Sequence, residues 1–296
     1  MAQDRTAQVG VIIPFYAQLG ELREALQSLL DQDWQDWQAV VVDDLSPERG
    51  AADLVAQFAD PRLQCIEHTS NLGAAAARNT AVRQLATPWL LTLDSDDKMP
   101  ADGLRRLWDA LAANPQADCA IGMIETFGQR REIWPWPLED NRRMVQAQIL
   151  PGPGVLMRRA VWERAGGWCE VGVLRNGNED WDFWIAAMAG GPLLAVHAGA
   201  VTYHYRRRPG TVSVGRLPLA DWRTRLAMIQ RHPHVFEAQS AGPPFVRAGL
   251  VQSALAHWRT GQRRRGVQLA WQAWLLTLHP TQTLLELQRT FDINQR

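Results

Sequence analysis

The chain is predicted to be an α/β protein, with a mainly parallel central sheet flanked by helices and an all-helical region appended at its C-terminus. Three observations predict this. From Gln8 to Leu93, short β-branched or apolar runs alternate with segments of helical period, the pattern of parallel strands joined by crossover helices. After about Arg216 the period is helical throughout. The composition, 296 residues of which 46% are apolar and 21% charged, is that of a globular chain able to bury a full core, which excludes disorder and collagen-like repeats.

Taken in order, Val9-Gly-Val-Ile-Ile13 reads as a buried strand, and Leu22, Ala25, Leu26, Leu29 and Leu30 as one face of a helix. Ala39-Val-Val-Val42 is a second strand. A helix is expected near Ala51 to Phe58, a strand near Leu63 to Ile66, a helix from Leu72 to Leu85 and a strand at Trp89 to Leu93. A helix at Ala101 to Ala112 and a strand at Cys119 to Ile124 follow, before Trp134-Pro-Trp-Pro137 interrupts the pattern. Between Gly152 and Gly191 lie one more strand and two helices, the second opening at Asn178-Glu179-Asp180. The C-terminal helices fall near 219 to 230, 244 to 260, 264 to 278 and 281 to 290.

The charges balance, 31 basic against 31 acidic, but unevenly along the chain. Residues 1–200 hold 17 basic and 27 acidic side chains, residues 201–296 hold 14 and 4, so the halves carry about −10 and +10. Such asymmetry points to an anionic partner for the basic part or to internal neutralisation. Cys65, Cys119 and Cys169 lie far apart with no Cys-x-x-Cys spacing, which suits a reducing, cytoplasmic setting rather than a disulfide framework or a zinc site. The apolar stretch Val9 to Tyr16 spans only eight residues, is broken by Pro14 and is followed by no small-residue cleavage site, so a signal peptide is not expected. Ile185 to Tyr205 and Gly266 to Leu285 are uncharged, but glycine, proline, histidine and glutamine make them too polar to span a membrane.

In an open parallel sheet the ligand sits beyond the carboxyl ends of the strands, and these ends carry the candidate chemistry. Pro14-Phe15-Tyr16 follows the first strand, where an aromatic ring can stack on a nucleobase or pack on the core. Asp43-Asp44-Leu45-Ser46-Pro47 ends the second, where an Asp can accept a base N–H or simply make a turn. Asn71-Leu-Gly73-Ala-Ala-Ala-Ala-Arg78-Asn79 opens a helix whose N-terminus and arginine suit a phosphate, or is an ordinary alanine-rich helix. Asp94-Ser95-Asp96-Asp97 follows the fourth strand. Its crowded carboxylates suit Mg2+ or Mn2+ bridging a diphosphate, or a solvated acidic turn. In Asn178-Glu179-Asp180-Trp181-Asp182-Phe183-Trp184, Asn178 is a good N-cap and acids suit a first helical turn; the functional alternative makes Asp180 a general base walled by Trp181 and Trp184.

Together these segments resemble the family 2 glycosyltransferases, which have the GT-A fold. The four N-terminal segments occur in the family's order and spacing. Gly166-Gly-Trp168, Glu179-Asp-Trp-Asp-Phe-Trp184 and Tyr205-Arg-Arg-Arg-Pro-Gly-Thr-Val-Ser213 match its later motifs, so that the resemblance covers roughly residues 8–215. It implies an inverting transfer of a sugar from a UDP- or dTDP-sugar to a saccharide or lipid-linked saccharide, of the kind that builds bacterial surface polysaccharides. Pro14, Tyr16 and Asp44 would hold the base. Arg78, Asp94 and Ser95 would sit by the diphosphate, Asp96 with Asp94 would bind Mn2+ or Mg2+, and Asp180 would be the base. Glu179, Trp181, Trp168 and Arg208 would lie on the acceptor or diphosphate side.

Two positions depart from the family pattern. Arg208 stands where relatives often carry a metal-binding His; it would pair with the diphosphate, the third metal ligand would be absent, or His204 would supply it from a shifted register. Gly166-Gly-Trp-Cys-Glu170 replaces the usual Gly-Gly-Phe-Asp-Glu. A nucleotide-sugar-binding scaffold without turnover is the alternative from another class. A sugar-phosphate nucleotidyltransferase would need a lysine after a glycine-rich N-terminal loop, and Lys98 is the only lysine. Nucleic acid is not expected as a partner.

The expected division is 1–215 for the catalytic domain, with a nucleotide-sugar half to about 97 and an acceptor half from 98, and 216–296 for the helical region. There Val267, Ala270, Trp271, Trp274, Leu275 and Leu278 share a helical face preceded by Arg263 to Arg265. Core packing is the favoured expectation for such a stripe, and peripheral contact with the inner face of a membrane the alternative.

Overall fold

The computed structural model describes residues 7–136, 138, 144–208 and 217–291. The end of the Tyr205–Ser213 motif and the 215/216 boundary lie outside the described residues.

Strands β1 (Val9–Phe15), β2 (Trp37–Asp43), β3 (Leu63–Glu67) and β4 (Trp89–Thr92) alternate with helices α1 (Leu19–Leu30), α2 (Ala51–Gln57) and α3 (Ala74–Gln84). These four strands pair in parallel, in the order β3-β2-β1-β4. Helix α4 (Gly103–Ala112) leads into β5 (Cys119–Gly128) and the short β6 (Ile133–Trp134). β7 (Leu156–Arg158) inserts antiparallel between β4 and β5, and β8 (Ala195–Arg207) runs parallel to β5. Helix α5 (Arg159–Ala165), a 3-10 turn (Gly172–Asn176) and α6 (Glu179–Met188) lie between β7 and β8. Among the described residues five helices follow: α7 (Leu217–Arg231), α8 (Pro233–Ala238), α9 (Gly242–Arg259), α10 (Arg263–Leu278) and α11 (Pro280–Thr290).

Strand alternation sends side chains to two cores. Val9, Val11 and Ile13 meet Leu22, Leu26 and Leu29 of α1 on one face. Ile12, Val40 and Val42 meet the alanines of α3 on the other, and that core runs on into Leu226, Leu250 and Leu269 of the C-terminal helices. Phe15 stands level with Asp43 in the register, so β1 and β2 end together and the chain leaves both toward one edge of the sheet.

Five expectations need correcting. The helix expected from Leu72 starts at Ala74, because Leu72 and Gly73 donate their N–H groups to Asp44 instead of joining a helical turn. The 101–112 helix begins at Gly103, and the short α8 precedes α9. β8, 13 residues long, was not anticipated; it is half-buried nearly throughout, and its alternation in Val201-Thr-Tyr-His-Tyr205 is broken upstream at Gly199, where the register with β5 shifts. Finally, the favoured core reading of the 267–278 stripe is reversed. Helix α10 packs through Gly266, Leu269, Ala273 and Leu276, and leaves Val267, Trp271, Trp274 and Leu278 58%, 56%, 48% and 50% exposed.

Candidate active site

Tyr16 leaves the end of β1 with its ring 56% exposed, open for stacking, while Pro14 lies half-buried within the strand. Asp44 has a different position from the open acceptor that was expected. It is buried, and its Oδ1 accepts from Leu72 N–H (2.8 Å) and lies 2.8 Å from His68 Nδ1, while Oδ2 accepts from Gly73 N–H (2.7 Å). Its carboxylate therefore ties β2 to the loop before α3. Gly73, at φ 92°, lies so close to Arg175 that a Cβ there would meet its side chain at 2.9 Å.

The turn after β4 is a lattice of ions. Arg78, buried on α3, donates from Nη2 to Asp94 Oδ1 (3.0 Å) and from Nη1 to Glu179 Oε1 (2.8 Å). Burial works against the guanidinium charge, but the two carboxylates outweigh it and raise its pKa. Arg208 pairs with Asp96 Oδ2 (2.6 Å) and with Glu21 of α1 (2.9 Å). Burial and then the Asp94 charge push the Asp96 carboxyl above its ordinary range, against the pull of Arg208. Ser95 sits half-buried between them. Asp97 turns inward, accepting from Tyr203 O–H (2.8 Å) and Arg206 N–H (2.7 Å), and its carboxyl is raised well above the usual range by burial, then by Asp96 and Asp94. His204 pairs with Glu125 at 3.3 Å, so its ring is committed to β5 rather than completing a metal site with Asp96.

Among the described residues no group of three His, Cys, Asp or Glu is arranged to hold a metal ion. Two adjacent carboxylates that repel each other nevertheless fit a hard divalent cation that takes part of its shell from a diphosphate, as Mg2+ commonly does.

Helix α6 carries the second acidic cluster. Asp180 is half-buried; its Oδ1 accepts from Trp181 N–H (2.8 Å) and its Oδ2 from Gln148 Nε2 (2.8 Å). Gly152 lies against it so closely that a Cβ there would stand 2.5 Å from Asp180 Oδ2. Glu179 is raised by burial, with Arg78 opposing. Asn178 does not cap the helix with its side chain; its amide reaches Thr224 Oγ1 (2.7 Å) and Asp221 Oδ1 (3.2 Å) on α7. Asp182 is buried and pairs with Arg231 (3.2 Å) and His232 (3.0 Å).

The tryptophans assigned to the acceptor side face inward instead. Trp168 is buried and stacked on Phe183 at 4.6 Å. Trp181 is buried, donates to Met144 O (2.7 Å), and lies edge-on to Phe245 of α9 with Arg225 of α7 over its ring at 4.7 Å. Trp184 is buried and donates to Pro151 O. The reason is that α6 buries every residue from Trp181 to Ala187, so it has no apolar side left to line an open wall.

The structure thus links Arg78 to Asp94 and Glu179 and, separately, Arg208 to Asp96, the two groups being neighbours through the charges of Asp94 and Asp96, with Asp180 next in the chain to Glu179. Three contributors were missed. Tyr203 and Arg206 lie on the unanticipated β8, and Gln148 carries no motif. Asn79 could have been found from its place beside Arg78. It is buried and accepts from Trp162 Nε1 and Trp168 N–H while donating to Glu170, so it ties α3 to the 166–170 loop.

Residues 10–164, just over half the chain, match the family model described as Glycosyl transferase family 2. The putative teichuronic acid biosynthesis glycosyltransferase TuaG of Bacillus subtilis is 35% identical over 100 residues, 33% of this chain and 39% of that one. The Escherichia coli UDP-Glc:alpha-D-GlcNAc-diphosphoundecaprenol beta-1,3-glucosyltransferase WfgD is 21% identical over 220 residues, 69% of this chain and 79% of its own. The chain spans less than two thirds of the length of TuaG and of several other curated relatives. Among solved structures, S. aureus TarS 1–349 in complex with UDP-GlcNAc matches with a TM-score of 0.62 at 15% identity, over 92% of each chain.

Proposed function

The chain belongs to glycosyl transferase family 2 and has the GT-A fold, and from that premise we propose that it transfers a sugar, with inversion, from a UDP- or dTDP-sugar to a saccharide or lipid-linked saccharide on the cytoplasmic side of a membrane. The observation that carries this reading is the span of Arg78 between Asp94 and Glu179. One buried guanidinium joins the donor side of the site to the residue beside the proposed base.

In this mechanism the exposed ring of Tyr16 stacks on the donor's base, with Pro14 in the same wall. Asp44 acts on the base site through the 71–73 loop that it anchors. Arg78 and Arg208, with Ser95 between the acidic residues, meet the diphosphate. Asp94 and Asp96 would hold Mn2+ or Mg2+, which when bound supplies charge neutralisation for the leaving nucleoside diphosphate. Asp180, aimed by Gln148 and Trp181 N–H, takes the proton of an acceptor hydroxyl. That oxygen attacks the anomeric carbon as the bond to the diphosphate breaks, and in-line attack inverts the centre. Trp168 and Trp181 serve as packing beneath the site. Residues 1–215 act as the catalytic unit, and 216–296 as a helical unit that braces it.

Bacterial surface-polysaccharide synthesis is the setting this reading favours, given the names of TuaG and WfgD. The test is release of UDP or dTDP from a panel of nucleotide sugars with Mn2+, with and without saccharide and lipid-linked acceptors. Turnover of one donor is expected. Tight UDP binding without turnover of any donor would overturn it in favour of a nucleotide-sugar-binding scaffold.

A further inference from the structure

Residues 238–285 contain no Asp or Glu and five arginines, Arg247, Arg259 and Arg263 to Arg265. The arginines nearer the catalytic region, Arg206, Arg208, Arg225 and Arg231, are all neutralised by carboxylates of this chain. Among the described residues, none of the five in 238–285 is in an ion pair. No described carboxylate neutralises this charge, which leaves it open to a partner.

The same stretch presents its apolar groups outward. On α10, Val267, Trp271, Trp274 and Leu278 recur at i, i+4, i+7 and i+11, an exposed stripe about 16 Å long at 1.5 Å per residue. It lies opposite the residues with which α10 packs on the rest of the molecule. The Trp271 and Trp274 rings stand 4.6 Å apart. On α9, Val251, Leu255 and Trp258 are exposed at i, i+4 and i+7, and Arg263, at the start of α10, stands over the Trp258 ring at 5.5 Å. Large apolar and indole groups left in water at helical spacing, beside unpaired arginines, are the composition of a helix that lies in the plane of a bilayer interface. Indole suits the boundary between headgroup and acyl chain, and guanidinium suits lipid phosphate. No described helix is long and apolar enough to cross a membrane.

We propose that the exposed face of α9 and α10 seats the protein on an anionic phospholipid surface, with Trp258, Trp271 and Trp274 at the headgroup boundary and Arg259 and Arg263 to Arg265 on lipid phosphates. Charge complementarity selects this occupant over a second copy of the chain. Two such faces laid together would bring ten arginines into one interface with no carboxylate from residues 238–285 of either copy. The docking requires no nucleotide sugar, so it stands or falls apart from the transfer reaction.

The experiment is co-sedimentation of the full chain with phosphatidylcholine vesicles, with and without phosphatidylglycerol, at low and high salt. The wild type is expected to sediment with the anionic vesicles and to be released by salt. Trp271→Ser with Trp274→Ser should lower the partition coefficient at least about tenfold. Arg263→Gln with Arg264→Gln and Arg265→Gln should abolish the preference for anionic vesicles. These side chains are exposed, and an unchanged circular dichroism spectrum confirms that the variants fold. Absence of wild-type binding, equal binding to neutral vesicles, or variants that bind like the wild type would each overturn the proposal. A wild-type dimer made monomeric by the tryptophan changes would assign the face to a second copy instead.

Discussion

The two acidic turns of the site are built alike and rooted in different parts of the molecule. Each leaves carboxylates toward the mouth, Asp94 and Asp96 in one and Glu179 and Asp180 in the other, and each turns one carboxylate inward. Asp97 is held by the Tyr203 hydroxyl and the Arg206 N–H, both on a strand of the central sheet. Asp182 is held by Arg231 and His232, at and just beyond the end of α7, and the preceding Asn178 is held by Asp221 and Thr224 of the same helix. The donor side is thereby anchored to the sheet and the proposed base side to the appended helices. The lesson is that a region outside the resemblance holds in place an acidic turn that lies within it.

The sharpest division is between outward and inward carboxylates. Asp180→Asn removes the proposed base and one of the two acceptors that Gln148 and Trp181 N–H use; transfer should fall by about 10²–10⁴-fold, the span of general-base catalysis, with UDP affinity unchanged and only a small shift in thermal midpoint. Steady-state kinetics beside calorimetric UDP titration checks this, and wild-type-like transfer would remove Asp180 from the base role. Asp182→Ala should act oppositely, through stability. It leaves the partly exposed Arg231 and the buried His232 without their carboxylate, a loss of about 2–3 kcal/mol in urea unfolding. A loss below about 1 kcal/mol would break the claim that the base side depends on the C-terminal helices.

The smallest expected effect separates Asp97 from Asp182. Because the Asp97 carboxyl is raised in the folded protein by burial and by Asp96 and Asp94, the folded state binds its proton more readily than the unfolded chain does. Its contribution to stability is then full below the ordinary carboxylate range and is lost as pH rises through the raised value. Asp97→Asn should make unfolding stability decline less over that window, as chemical denaturation across a pH series would show. An unchanged slope would mean that Tyr203 and Arg206 already satisfy the ionised form.

Where a segment's role is written in its own neighbours, it was legible. The first four strands and their helices follow from local patterning, as does the placement of Tyr16, Asp94 and Asp96 just beyond strand ends. β8 was less legible, since its alternation is confined to Val201–Arg206 and is broken upstream where the register with β5 shifts, and with it went Tyr203 and Arg206. Nor could the tryptophans of α6 be assigned a side: a helix covered all round reads the same whether it faces a ligand or a core. For α10 both readings invoked one apolar stripe, and only packing showed that the smaller residues Gly266, Leu269, Ala273 and Leu276 face the protein.

By itself the sequence determined the α/β class, the helical C-terminal region and the order of the motifs, because hydrophobic period and turn chemistry act over a few residues. Only the tertiary structure decided which charges neutralise one another. Arg78 meets Glu179 across 101 positions, Asp96 meets Arg208 across 112, and Asp182 meets Arg231 across 49. Coulomb energy depends on distance in space and on exclusion of water. Separation along the chain encodes neither, so the balance of 31 acids and 31 bases concealed a paired interior around the site and an unpaired basic face at residues 238–285.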